Sequence, residues 1–174
     1  MRRLVEALCR LLLRVFFRRV DIVDEHLVPT DGPTLFVLNH HNGLIDPLFI
    51  LCRSPRRVSF LAKEPLFRTP VVKHFVKAFD CLPVYRKTDG ADTSANRRTL
   101  EAARQLLGRG GAIAIFPEGI SHGGSGLAPL KTGAARMALG ATALSDEPVK
   151  LVPVGLFFTE RGTFRSNAAM VFGP

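Results

Sequence analysis

The sequence predicts an α/β fold: a mixed central sheet flanked by helices, preceded by an N-terminal amphipathic helix. Three observations carry this. Short apolar runs of strand-like composition recur along the chain, helix-like stretches fall between them, and 174 residues is a length suited to one compact domain. The first twenty residues follow a different pattern, which sets residues 1–20 apart from 21–174.

Residues 1–20 read as an amphipathic helix. Arg3, Glu6, Arg10 and Arg14 fall on one stripe, and Leu4, Leu8, Leu11, Leu12, Val15 and Phe16 cover much of the rest. Arg10, Arg14, Arg18 and Arg19 interrupt the apolar run and no small-residue cleavage site follows, so the segment is expected to stay on the mature protein. No run of 18 apolar residues exists that would span a bilayer. Such a helix can lie in a membrane interface with its arginines at the lipid phosphates. The alternative is a helix packed on the core with a solvated arginine edge.

Pro29 to Pro33 is a turn-rich linker. Strands are then expected at Thr34–Leu38, Val58–Ala62, Cys81–Tyr85, Ala112–Phe116 and Leu151–Phe158, with a weaker sixth at Ala169–Phe172. Between them, Pro47–Cys52, Val71–Phe79, Ser94–Leu107 and Leu130–Leu139 read as helices. Thr93 or Ser94 is placed to cap the third, and Gly108 to end it. The chain stops at Phe172-Gly173-Pro174 directly after a strand, as a fragment or a minimal domain would.

A net charge of +9 and a pI near 10.3 point to an anionic partner: nucleic acid, a phospholipid surface or a phosphorylated substrate. A nucleic-acid-binding module would account for the charge. However, base stacking needs accessible aromatics, and the chain has one Tyr, no Trp, and 13 Phe that mostly lie in apolar runs expected to be core. Cys9, Cys52 and Cys81 are far apart with no C-x-x-C spacing, which argues against a disulfide framework or a zinc ribbon and fits a reducing compartment.

Two stretches at strand ends carry chemistry. Asn39-His40-His41-Asn42-Gly43-Leu44-Ile45-Asp46 supplies imidazole and carboxylate, the pair that turns a hydroxyl into a nucleophile. In a regular helix neither histidine would share a face with Asp46, but Asn42-Gly43 supplies a turn that brings them together. Asp46-Pro47 also reads as the cap and first residue of the next helix. Phe116-Pro117-Glu118-Gly119-Ile120-Ser121-His122 places a carboxylate and a tight glycine turn where α/β folds hold ligands. Further cations follow at Leu82-Pro83-Val84-Tyr85-Arg86-Lys87 and at Lys131-Thr132-Gly133. Gly124-Ser125-Gly126 ahead of Lys131 is not a phosphate loop, because Leu130 stands where glycine must precede the lysine. H-E-x-x-H does not occur.

In this order, four elements resemble the glycerolipid acyltransferase family, the lysophosphatidic acid and glycerol-3-phosphate acyltransferases with a PlsC-like domain. They are Asn39-His40-His41 to Asp46, Val84-Tyr85-Arg86, Phe116-Pro117-Glu118-Gly119 and Val152-Pro153-Val154. The resemblance spans about residues 34–174. It implies an acyltransferase domain over 21–174 that moves a fatty acyl group from acyl-CoA or acyl-carrier protein, a co-substrate, to glycerol 3-phosphate or a lysophospholipid. A histidine is the general base and Asp46 orients it. His41 has the family's common four-residue gap to Asp46 and is preferred on spacing; His40 follows Asn39 as the family's histidine does, and some members carry the longer gap. Arg86 and Lys131 would hold the acceptor phosphate, Glu118 would position the acceptor or Arg86, and Gly119 would also lie at the substrate. No metal or bound cofactor is implied, and no nucleic acid. The protein would be membrane-associated on the cytoplasmic face, peripheral or monotopic. Ile120 and Ser121 depart from the family's usual Thr-Arg, a change that keeps open a catalytically silent lipid-binding relative.

Overall fold

The computed structural model describes residues 2–43, 45–86, 89–124 and 126–174; Leu44, Lys87 and Ser125 of the stretches above lie outside the described residues. Helix α1 covers Arg2–Phe16, followed by β1 (Arg19–Val23), β2 (Thr34–Leu38), α2 (Asp46–Arg53), β3 (Ser59–Lys63), α3 (Val72–Ala78) and β4 (Leu82–Val84). Then come α4 (Asn96–Gly108), β5 (Ala112–Ile115), α5 (Gly133–Thr142), β6 (Lys150–Phe158) and β7 (Asn167–Phe172). The strands form one seven-stranded sheet in the order β1-β7-β6-β2-β5-β3-β4. From β6 to β4 every pairing is parallel, whereas β7 runs antiparallel to β6 and parallel to β1. The sheet is mixed, as expected, and its five parallel strands send their carboxyl ends to one edge.

Strand β2 shows why the sequence folds this way. It lies between β5 and β6, and its Leu35 and Phe36 point to opposite faces, each 0% exposed. Phe36 joins the core beneath α1, α2 and α3 with Phe17, Phe49 and Phe172, while Leu35 joins Leu107, Ile113 and Met137 beneath α4 and α5. A strand buried on both faces needs an unbroken apolar run, and Thr34–Leu38 provides one. Full burial of each such Leu or Phe contributes about 1.5–3 kcal/mol.

All six expected strands are present, with ends shifted by one or two residues. The seventh, β1, was hidden: Arg-Val-Asp-Ile-Val alternates polar and apolar, suiting an edge strand, and its first two residues fall in the expected helix. That helix stops at Phe16, not at residue 20. Phe17 turns into the core, 1% exposed, edge-on to Phe49 at 5.4 Å. From there the backbone is taken up by the β7 side of the sheet, with Arg18 N donating to the Ser166 carbonyl at 2.9 Å. The third predicted helix is capped by neither Thr93 nor Ser94. Asp92 caps the short 3-10 turn that leads into α4, accepting the Ser94 N–H at 2.8 Å.

Helix α1 meets both readings halfway. Cys9 and Leu13 are buried against the core, and Arg2 is anchored by Glu6 at 2.8 Å and by the Val58 carbonyl at 3.2 Å. Yet Leu4, Leu8, Leu11, Leu12 and Val15 are all more than half exposed. At 100° per residue these five occupy an arc of about 100°, opposite the core-facing side. Exposed Arg3 and Arg14 border the arc, while Arg10 spends its Nε on the Cys52 carbonyl at 2.8 Å.

Candidate active site

The site forms where β2 and β5, adjacent parallel strands, end at the carboxyl edge. Asn39, the first residue beyond β2, imitates a peptide. Its amide nitrogen donates to the Leu156 carbonyl at 2.9 Å and its oxygen accepts the Leu156 N–H at 2.7 Å, which extends the β2–β6 pairing by one step. This fixes the direction of the next residue. The His40 ring stacks on Phe116 with centroids 3.8 Å apart and planes 4° apart, and Phe60 meets Phe116 edge-on at 5.0 Å.

Asp46 pairs with His40, not with the spacing-preferred His41. The turn at Asn42, whose carbonyl accepts the Asp46 N–H at 3.0 Å, swings Asp46 back so that its Oδ2 lies 3.0 Å from His40 Nδ1. The same oxygen accepts the Asn42 N–H at 2.7 Å. Asp46 is wholly buried, and its carboxylate makes no capping bond to α2. The capping alternative therefore fails. With Nδ1–H donated to the carboxylate, His40 Nε2 keeps its lone pair, the state a general base requires. His41 instead turns its ring edge-on to His122 at 5.2 Å, and its Nδ1 is buried with no partner among the described residues.

Glu118 is 1% exposed and is surrounded by donors from the chain. Its Oε1 accepts the His40 N–H at 2.8 Å; its Oε2 accepts the Ala128 N–H at 2.7 Å and bonds the His122 Nε2. Burial alone would raise this carboxyl, but the bonds from Ala128, His122 and His40 outweigh it and hold it below the ordinary carboxylate range. Both Glu118 oxygens thus already accept hydrogen bonds from the chain itself. Gly119 turns the chain at φ +69, and a Cβ there would lie 2.6 Å from Lys131 Nζ, so the lysine's ammonium occupies the space that glycine leaves.

The acyltransferase family profile matches residues 6–156. The chain belongs to the PlsC-like glycerolipid acyltransferase family. A glycerol-3-phosphate O-acyltransferase 1 of Saccharomyces cerevisiae is 46% identical over an alignment covering 91% of this chain and 32% of that protein. A 1-acyl-sn-glycerol-3-phosphate acyltransferase of Borreliella burgdorferi is 27% identical, over 78% of this chain and 52% of its own. The chain spans about a tenth to a third of the length of the two yeast glycerol-3-phosphate acyltransferases it matches. In fold it is similar to the crystal structure of the 1-acyl-sn-glycerophosphate acyltransferase PlsC from Thermotoga maritima, with a TM-score of 0.73 and 19% identity over 99% of this chain and 67% of the other.

Within this acyltransferase domain, Arg86 stands apart from the His40–Asp46–Glu118 group. It follows β4, which Asn96 ties to the start of α4 by bonding both the Tyr85 N–H and carbonyl, at 2.9 and 2.7 Å. Its guanidinium is gripped by Asp89 at two nitrogens, Nε and Nη2, at 2.7 and 2.9 Å. The fork expected to meet a phosphate is filled by a carboxylate, and Arg86 in turn holds Asp89 below its ordinary range, chiefly through that hydrogen bonding. Asn39, Phe116, His122 and Arg161 were not singled out as site residues by sequence reasoning. Arg161 bonds the His122 and Gly124 carbonyls at 3.3 and 3.4 Å. Asn39 had a signal, an amide at a strand end beside the histidine; Arg161 had none, since only the fold brings its loop there.

Proposed function

We propose that this domain transfers a fatty acyl group from a thioester to the hydroxyl of a phosphorylated glycerol or lysophospholipid acceptor, with His40 as general base. The observation that carries this is the buried Asp46 carboxylate on His40 Nδ1, which leaves Nε2 free at the carboxyl edge of the sheet. His40 Nε2 takes the acceptor hydroxyl proton as the oxygen attacks the thioester carbonyl. The tetrahedral adduct collapses, the C–S bond breaks, and the departing thiolate receives that proton back from His40. Asp46 stabilises the imidazolium formed between the two steps, and no acyl-enzyme is needed. The Thermotoga protein's name specifies a glycerophosphate acceptor and the yeast relatives' names glycerol 3-phosphate, and both carry the phosphate that a +9 chain would attract.

Three strand spacings, about 14 Å, separate β2 from β4. The acceptor is much shorter than that span, so its phosphate would meet Arg86 only if the arginine side chain reaches over β3 and β5 toward His40, displaced from Asp89 by the phosphate. Lys131, exposed over Gly119, is the second cation available to it. The acyl donor is acyl-CoA or acyl-carrier protein. No described helix is long and apolar enough to cross a membrane. Peripheral attachment through the exposed Leu4–Val15 face of α1, with Arg3 and Arg14 at lipid phosphates, agrees with acceptors that reside in or near a bilayer. The test is thiol release by purified protein against a panel of acceptors with both thioester types. Release that depends on a phosphorylated acceptor supports the proposal; none with any pair would leave a lipid-binding relative without turnover.

A further inference from the structure

A second histidine–carboxylate pair stands behind the first. Glu118 holds the His40 N–H through one oxygen and His122 Nε2 through the other. His122 also reaches His40 directly, its backbone N–H donating to the His40 carbonyl at 3.1 Å. Residue 40 is therefore gripped on both sides by the segment 118–122: its N–H by the Glu118 carboxylate, its C=O by the His122 amide. The stack on Phe116 and the bond to Asp46 fix the ring, and this pair of grips fixes the backbone beneath it.

The state of His122 can be read from its neighbours. The Gly124 N–H donates to His122 Nδ1 at 3.2 Å, so Nδ1 carries the lone pair and the proton sits on Nε2, facing Glu118. Both ring nitrogens are engaged in holding the loop and the carboxylate. A ring so employed has no free nitrogen for proton transfer to a substrate, whereas His40 keeps one.

We propose that His122, in its neutral Nε2–H form, is a positioning residue for acyl transfer: it fixes the Glu118 carboxylate, which clamps the backbone of His40 and aims the base. The inference rests on His40 being that base. Truncating His122 leaves Glu118 one donor short, with Oε2 held by the Ala128 N–H alone, and loosens the seat of His40. Displacement of a base by about 1 Å costs on the order of a hundredfold in rate.

The experiment compares His122→Ala, His122→Asn and His122→Gln with wild type and with His40→Ala, all as the full chain, in steady-state acyl transfer with both substrates varied. Gln places an N–H donor near the Nε2 position; Asn is too short to do so. His122→Ala and His122→Asn should lose about ten- to hundredfold in kcat with both KM values within about twofold, and His122→Gln should recover most of the rate. If Ala does not fold in a thermal melt, the Gln–Asn contrast alone decides. Wild-type kcat in His122→Ala, a loss confined to the acceptor KM, or Gln as poor as Asn would each overturn the proposal, the second by making His122 a substrate contact. If His40→Ala keeps turnover, the reading of the base has failed. If it is silenced while His122→Ala is unimpaired, only the present inference has. Independently of turnover, ¹⁵N spectroscopy of the imidazoles at neutral pH should show His122 protonated at Nε2 alone, and a proton on Nδ1 would contradict the assignment.

Discussion

Replacing Asp46 with Asn removes a charge and leaves the shape. In the folded protein Oδ2 accepts both the His40 Nδ1 proton and the Asn42 N–H, at 3.0 and 2.7 Å, while the residue is wholly buried. Asn can keep its carbonyl oxygen at the Oδ2 position and preserve both bonds in the resting state. What it cannot do is balance the positive charge that His40, as the proposed base, would acquire on taking the acceptor proton. In the Ser-His-Asp hydrolases the same exchange lowers kcat by about 10⁴, and with a similarly buried pair we expect a loss of about 10²–10⁴, or roughly 3–5 kcal/mol of transition-state stabilisation. Stability should change little, because the Oδ1 position, without a partner among the described residues, passes from a charged oxygen to a neutral amide nitrogen that costs less to bury. Initial rates of thiol release with a phosphorylated acceptor, paired with a thermal melt, are the assay. Turnover within about threefold of wild type in a folded variant would refute the mechanism.

Three further outcomes follow from the geometry. Arg86→Ala should raise the acceptor KM about ten- to hundredfold and leave that for the thioester unchanged, since a charge-assisted contact to phosphate is worth about 1.5–3 kcal/mol; Asp89→Asn, by releasing the guanidinium, should lower the same KM, and a rise there would place the phosphate elsewhere. Leu8→Glu with Leu12→Glu should fold normally, both positions being more than half exposed, yet lose most co-sedimentation with anionic liposomes; undiminished binding would show that α1 is not the anchor. Glu118→Gln should lower the melting temperature at neutral pH. The folded Glu118 titrates below the ordinary carboxylate range, so its stabilisation is present above that range and disappears as pH falls through the lowered value. The variant should therefore show a shallower acid limb in its melting curve, and parallel limbs would mean that Glu118 is not held ionised.

Most of the sheet was legible because a strand buried on both faces must be apolar throughout, and Thr34–Leu38 and Ala112–Ile115 could be little else. β1 was not, since an edge strand needs no such run and Arg19 and Asp21 can pair with each other in solvent, at 2.8 Å. At the site, chemistry types and their order were legible, and geometry was not. Residue spacing favoured His41, but which histidine meets Asp46 depends on the Asn42 turn and on Asn39 bonding across to β6, 117 residues away in sequence. Glu118 was legible as a carboxylate at a strand end. That its oxygens are taken by Ala128, His122 and the backbone of His40 follows from loop contacts that no local pattern encodes.

The central claim is that His40, not its neighbour, is the base. Single-turnover acyl transfer from a labelled thioester to a phosphorylated acceptor, measured for His40→Ala and His41→Ala side by side, tests it most directly. We predict that His40→Ala forms acylated product at least about 10³-fold more slowly than wild type, while His41→Ala stays within about tenfold. Loss in His41→Ala with His40→Ala active would contradict the account.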